Sequence, residues 1–535
     1  MQPAPDRTRP GRVFPWVGGL NALNDPQLVP PTHCVFLEDF VLDRDGTKKL
    51  RGGQTKYNSA ALTGTAAVDG GYHYKKAGSS ADTFKTMAIS NQAIYKADED
   101  GTFDDITGTS FIESGAYPDF TVFSNDLIIS WITASTASYT PLVWSQSGNV
   151  AALSSDAGLP DFGFSTNYNG RLAAAGDPGN KSRLYFSKLL DATTSSAWTA
   201  ATNPQDPFYI DIQPNDGDKI TGLAEAFGRL FAFKENSIYA LEGVLQNELR
   251  TSQSAVMTKE SGSVLAGKVG SVNHSVIVPT GNDVFFLSNR GAHSLIATDA
   301  SSELEQAFVS FAIQDFYLNG LNHNQHDQWR GIFAPDINSV LWAVTRLGST
   351  NNDLIMGFNI EIREWFFWNI SAASLFVRDV DGILRTYAGG YDGFVRLIND
   401  QTSLSDDGSA YTAKVKTPVL DFGAPDRLKK VKHVTFFYVP KGSWSATVNY
   451  TFDNSSIQTQ TFALDGGSGA ILGEFVLGVD ILGSGTLEPK SVPIEGVGKT
   501  FQMEITSSGV AGQDFELLGY QVDYILMKAT YDNIR

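Results

Sequence analysis

The chain has 535 residues, of which 42% are hydrophobic and 18% charged: enough for two or three cores, and too apolar for a disordered chain. Its 58 acidic and 40 basic residues give a formal net charge of −18. That excludes an ordinary nucleic-acid-binding domain, which needs Lys and Arg to displace counterions from phosphates.

The 34 Phe, 19 Tyr, 9 Trp and 51 dispersed Gly point to many short strands joined by tight turns. An extended arm, Gln2 to Arg12, carries Pro3, Pro5 and Pro10, and no apolar run follows it, so no secretory signal peptide is expected. No stretch approaches the length of a transmembrane helix, and a soluble chain without membrane insertion is expected. After Trp16, Gly18–Gly19–Leu20–Asn21 and the Pro26 to Pro31 segment comes a strand, Cys34 to Leu42. Asp43–Arg44–Asp45–Gly46 then reads as a hairpin turn into a basic strand, Lys48 to Arg51. Cys34 is the single cysteine, so neither an intramolecular disulfide nor a cysteine-based metal site can form, and in its apolar run it reads as a buried side chain.

From about residue 60 to 405 short strands alternate with turns. Examples are Thr83 to Ser90 with Ala93 to Lys96, Gly170 to Gly176 with Arg183 to Ser187, and Gly228 to Lys234 with Ser237 to Leu241. Later come Asn282 to Leu287, Val340 to Val344, Trp365 to Trp368 and Tyr391 to Leu397. Roughly 20 to 28 strands in units of about 40 to 60 residues suit a β-propeller of four-stranded blades, with a long β-sandwich array as the competing architecture. The one helix expected is Ser302 to Phe316, from its apolar spacing. Beyond Asp406–Asp407–Gly408, about seven alternating strands read as a β-sandwich: Tyr411 to Asp421, Val431 to Val439, Ser443 to Phe452, Ile457 to Leu464, Gly473 to Val479, Lys499 to Ser507 and Phe515 to Met527. The expected organisation is an all-β chain with an N-terminal arm and hairpin (1–60), a propeller (61–405) and a sandwich (406–535).

Motifs that could carry chemistry fail on their residues. Gly262 to Val269 approaches a phosphate loop but ends on Val269, which has no hydroxyl for Mg²⁺, and Gly498–Lys499–Thr500 is preceded by Pro493 where a Gly is required. His323, His326 and Asp327 have metal-ligand spacing, but the surrounding Gly320, Asn319, Asn322 and Asn324 argue for a polar loop. Asp43 to Gly46 lacks the distal ligands of a calcium loop, and Asp98 to Phe103 has the wrong spacing for the Asp-box turn of sialidase propellers. The basic runs Lys48, Lys49, Arg51 and Arg427, Lys429, Lys430, Lys432 read as the solvent face of edge strands, with docking to an acidic subunit as the alternative. No catalytic, cofactor or metal residue is assigned, and no enzyme is expected. A glycosidase carboxylate pair, however, is invisible to spacing because its members come from distant strands.

Gly18–Gly19–Leu20–Asn21, Pro30–Pro31, Leu37–Glu38–Asp39–Phe40 and Leu42–Asp43–Arg44–Asp45–Gly46 with its basic strand resemble the N-terminus of phage tail proteins. Gly170–Arg171–Leu172, Asp216 to Leu223 and Ala388 to Gly393 extend the likeness. The family is the β-propeller tail nozzle (tail tubular protein B type) of short-tailed bacteriophages and related stopper-like rings. The resemblance implies a structural virion protein made in the host cytoplasm, forming a ring of six copies below the portal and adaptor. DNA would pass the lumen without specific binding during ejection, and tail fibres could attach. The alternatives are a host-surface or glycan-binding propeller of the virion, for which Trp365 and Trp368 are the candidates although they read better as strand aromatics packed between blades, and a glycan-degrading propeller with two carboxylates facing across its channel.

Overall fold

A computed structural model describes residues 13–22, 25–43, 45–78, 84–133, 140–200, 203, 205–241, 264–267, 269–281, 283–295, 308–465 and 488–527. The Gln2 to Arg12 arm, the Gly473 to Val479 strand and Gly262, Ser263 and Lys268 of the 262–269 motif lie outside these residues.

Between residues 53 and 400 the strands form seven small antiparallel sheets in chain order. Their first strands are Val68–Lys75, Tyr117–Phe123, Phe164–Tyr168, Ile220–Ala226, Val278–Pro279, Arg330–Ala334 and Ser374–Val380. These first strands touch one another in cyclic order, the seventh returning to the first, so the sheets stand radially around an axis as a propeller-like ring. Five sheets have four strands from one contiguous stretch, as in Phe164–Tyr168, Arg171–Ala175, Arg183–Phe186 and Phe208–Asp211. The fifth has three among the described residues, Val278–Pro279, Val284–Ser288 and Gly291–Ser294. Second strands such as Arg171–Ala175 and Ser339–Val344 are buried along their whole length, because neighbouring sheets cover both their faces. Each gap is filled from both sides: Tyr74, Met87, Leu127 and Trp131 between the first and second sheets, and Phe231, Phe233, Val284 and Phe286 between the fourth and fifth.

The seventh sheet is completed from the other end of the ring's sequence. Ser374–Val380, Ile383–Gly389 and Val395–Asp400 take Gly53–Lys56 as their outer strand, antiparallel to Val395–Asp400. A Cβ added at Gly53 would lie 2.1 Å from the Ser405 carbonyl oxygen, so only glycine admits this approach.

The remaining strands fall in two sheets. One continues the sixth sheet of the ring: Glu364–Trp368 is followed by Phe36–Glu38, Lys414–Lys416, Phe501–Ser507, Ser443–Phe452 and Gln458–Asp465. The other runs Phe40–Leu42, Lys48–Leu50, Phe515–Leu526, Lys429–Pro440 and Glu488–Gly498, with Val13–Pro15 paired to Phe515–Leu526. They meet where the Phe436 and Phe462 rings stack at 4.9 Å, and one hydrophobic cluster runs from Trp342 and Trp365 of the ring to Phe436 and Phe462.

The boundary expected at residue 60 does not follow the sheets, because 13–56 supplies strands to the ring's last sheet and to both outer sheets. The hairpin at Asp45–Gly46 is present: Phe40–Leu42 pairs with Lys48–Leu50, Gly46 has φ +80°, and a Cβ there would lie 2.4 Å from Val17 Cα. The basic strand it leads into is not a solvent face. Lys48, Arg51 and Lys429 are buried, while Arg427 and Lys430 are exposed as expected. Lys48 Nζ donates to the carbonyls of Trp16 (3.0 Å) and Gly18 (2.9 Å). Arg51 bonds Asp39 (2.6 Å) and both oxygens of Asp406 (2.8 and 2.7 Å) beneath the Tyr411 ring, which locks three segments together. Of the expected helix, Ser302 to Ala307 is outside the described residues. Phe308 bridges His293, Phe311–Ile313 is a 3₁₀ turn, and the α-helix is Gln314–Asn319, because Ser310 turns the chain by bonding Ala292 across the fifth sheet.

Candidate functional site

Seven radial sheets leave a space on the axis that their first strands line. Here those of the first, second, sixth and seventh sheets, with the turn at His274, line a cavity of about 370 Å³, walled by residues 69–73, 118–120, 274, 275, 277, 330–332 and 374–377. A second cavity of about 410 Å³ adjoins it, with Tyr117, Asp177, Lys219, Asn273 and Asp327 in its walls. Tyr117 lines the second, its ring 4.9 Å from the guanidinium of Arg330, which lines the first.

Asp69 owes its position to an irregularity. The pairing of Val68–Lys75 with Phe84–Ser90 slips between Val68 and Gly70, so Asp69 is an extra, unpaired residue, and a bulge of this kind re-aims a side chain. Its carboxylate accepts no hydrogen bond from the described residues, and burial lifts its pKa from 3.8 to about 6 against the opposing field of Arg330. Arg330 opens the sixth sheet's first strand and is 6% exposed. Its Nη1 donates to the carbonyls of Trp329 (3.0 Å) and Asp327 (3.2 Å), and burial pulls its pKa down.

Asp119 and His274 are held more firmly. Asp119 accepts from the Ser165 amide (3.2 Å) and lies 3.3 Å from His274 Nε2. His274 Nδ1 accepts the Leu223 amide (3.2 Å), which assigns the ring proton to Nε2, facing Asp119. The same imidazole stacks on Phe164 at 4.7 Å. Aromatic faces complete the wall, with Tyr72 stacked on Phe120 at 5.6 Å. Burial raises the phenol pKa of Tyr72, which therefore faces the cavity as a neutral hydroxyl. The cavity thus presents ring faces, hydroxyls, one cation and one unbonded carboxylate, which suits a polar ligand with apolar faces of its own.

The residues singled out from the sequence lie elsewhere. Cys34 is fully buried, and burial pushes its thiol up to about 11, the behaviour of an inert side chain. Trp365 and Trp368 are buried, with indole nitrogens donating to the carbonyls of Val309 (3.0 Å) and Phe40 (2.9 Å), so they form no exposed cluster. His323 Nε2 sits 2.8 Å from the Tyr317 carbonyl and His326 Nδ1 2.6 Å from that of His323, in a 3₁₀ turn. No metal-competent group of three ligands exists among the described residues. Lys499 and Thr500 form a turn whose amides bond the Asp453 carboxylate, the place a phosphate would need. Asp100 likewise caps its own turn by accepting from Thr102. Asp69, Asp119, His274 and Arg330 went unnoticed because closure of the ring, rather than spacing, brings them together. The one local signal is Asp69–Gly70–Gly71 opening a strand.

No family model matches the chain, and no curated protein does. Solved structures resemble it in shape. PorZ, a bacterial surface component of the type-IX secretion system of Porphyromonas gingivalis, is 14% identical over 70% of this chain and 44% of its own, with a TM-score of 0.35. This chain therefore spans under half of PorZ. Virginiamycin B lyase from Staphylococcus aureus is 12% identical over 64% of this chain and 98% of its own, with a TM-score of 0.38. An exo-β-1,3-galactanase from Phanerochaete chrysosporium is 10% identical over 88% and 100%, with a TM-score of 0.24.

Proposed function

We propose that this chain is a seven-bladed β-propeller carrying a two-sheet sandwich on its sixth blade, and that it binds a glycan-class ligand in its axial cavity. The observation that carries this reading is the convergence, in about 370 Å³, of the stacked Tyr72–Phe120 pair with the unbonded Asp69 and the half-used Arg330. A pyranose has C–H faces that pack on aromatic rings and edge hydroxyls that bond carboxylates and guanidinium groups, so it matches both halves of that wall. A glycan array probed with the full chain tests it. Binding to a defined subset of glycans, abolished by Phe120→Ala at preserved thermal stability, is expected. An array with no hit, or hits indifferent to Phe120→Ala, rejects it.

A second reading, a structural ring protein of a phage tail, is favoured by where the resembling N-terminal residues sit. Gly18 accepts from Lys48, Leu37 is buried, and Asp39 bonds Arg51, so the shared phrases build the joint between propeller and sandwich. The propeller's own axial cavity, about 370 Å³, is far too small for a DNA duplex, so in this reading DNA passes between six copies. Mass photometry of the purified chain, and its copy number in gradient-purified particles, test it. A hexamer at about six copies per particle supports the ring, and a monomer absent from particles rejects it.

A further inference from the structure

We propose that the ligand of the axial cavity is an acidic saccharide, and that Arg330 is the residue that pairs with its carboxylate. This rests on the glycan reading and adds the charge of the sugar.

The case begins with two of the three other buried arginines, Arg51 and Arg378, which are held by carboxylates; the third, Arg171, bonds the Ser187 and Asp206 carbonyls. Arg51 holds Asp39 at 2.6 Å and Asp406 at 2.7 Å, and Arg378 holds Glu99 at 2.7 Å. Arg330 is buried to a similar degree, yet no carboxylate of the described residues lies within 4 Å of it. Two backbone carbonyls occupy Nη1, and no hydrogen bond from Nε or Nη2 to the described residues is present. A guanidinium with little access to water favours a paired anion, and its planar fork matches a carboxylate with two parallel bonds.

The walls narrow the ligand further. Arg330 is the one Lys or Arg among the residues lining the cavity, and Asp69 and Asp119 line it too, so the open side of its fork can pair with a single carboxylate, whereas a phosphate dianion would face both acids. Asp69 lies on a different blade, near enough to feel the field of Arg330 but beyond ion-pair distance. Its oxygens remain open to accept hydroxyls. A carboxylate at one edge, hydroxyls at the other and a C–H face over Tyr72–Phe120 describe a uronic-acid ring.

The test is calorimetric titration of the full chain with uronic-acid oligomers (galacturonate, glucuronate, mannuronate), their neutral counterparts, their methyl esters and inorganic phosphate. Expected are affinity at least tenfold higher for one free acid than for its neutral counterpart and its methyl ester, and loss of that preference in Arg330→Gln. The ester comparison uses the unaltered protein, so it decides the matter even if Arg330→Gln fails to fold. Equal affinity for acid and ester, or a preference that survives in folded Arg330→Gln, overturns the acidic inference and leaves the glycan reading standing. Phosphate binding as tightly as the uronate overturns it too, since the site would then select charge without sugar. Binding of none of these, together with an empty glycan array, removes both readings.

Discussion

Replacing Asp69 by Asn should make the protein more stable at neutral pH. Burial raises this carboxyl from 3.8 to about 6, with no hydrogen bond from the described residues to offset it. Between those two values the folded chain binds more protons than the unfolded one, so stability falls as pH rises through the window and stays reduced above it. At 1.36 kcal/mol per pH unit the interval amounts to about 3 kcal/mol against the folded state at pH 8. Asparagine is nearly isosteric and uncharged, so it removes that term. Urea denaturation of parent and Asp69→Asn at pH 4 and pH 8 measures it: a small difference at pH 4 and a gain of about 2–3 kcal/mol at pH 8 are expected. A variant that is less stable at pH 8, or shifted equally at both pH values, would show that Asp69 is held by native contacts. A gain would mark a residue kept in the cavity at the expense of stability, as binding groups commonly are.

Arg51→Met should lower stability by about 3–5 kcal/mol, since it strands the buried Asp39 and breaks the Asp406 fork; urea midpoints read the loss, and a shift under about 1 kcal/mol contradicts the keystone role. Gly53→Ala pushes a methyl against the Ser405 carbonyl and should cost about 1–3 kcal/mol, with faster proteolysis at the 53–56 strand; unchanged melting and cleavage would mean the closing strand is not held there. His293 is fully buried, Ser288 Oγ lies 2.9 Å from its Nε2, and burial drives its pKa down to about 3. The unfolded chain takes up this proton first, so stability falls as pH drops from about 6.5 toward 3. His293→Leu should flatten that acid limb in melts taken between pH 3.5 and 7, and an unchanged limb contradicts the assignment.

The ring was legible because its signals are local: aromatic strands, glycine turns, and repeats whose first strands start at Val68, Tyr117, Phe164, Ile220, Val278, Arg330 and Ser374, intervals within the 40–60 residues read from the sequence. What was not legible is non-local. Gly53–Lys56 reads as the end of an N-terminal hairpin and becomes a ring strand only through pairing with residues some 340 positions away. Glu488–Gly498 was missed because Pro489 and Pro493 argue against a strand; it lies at a sheet edge, where the absent donors face no partner. Lys48 and Arg51 looked like solvent-facing charge because nothing near them in sequence announces Trp16, Asp39 and Asp406 as partners. The axial site was hidden for the same reason, its residues being drawn from four blades and one 3₁₀ turn.

Hydrogen–deuterium exchange of the full chain, with and without a glycan that binds it, tests the central claim most directly. The account predicts slowed exchange at residues 68–73, 117–120, 274–277 and 330–332, with the 429–526 strands unchanged. Protection confined to those outer strands, or spread evenly over the chain, would contradict it.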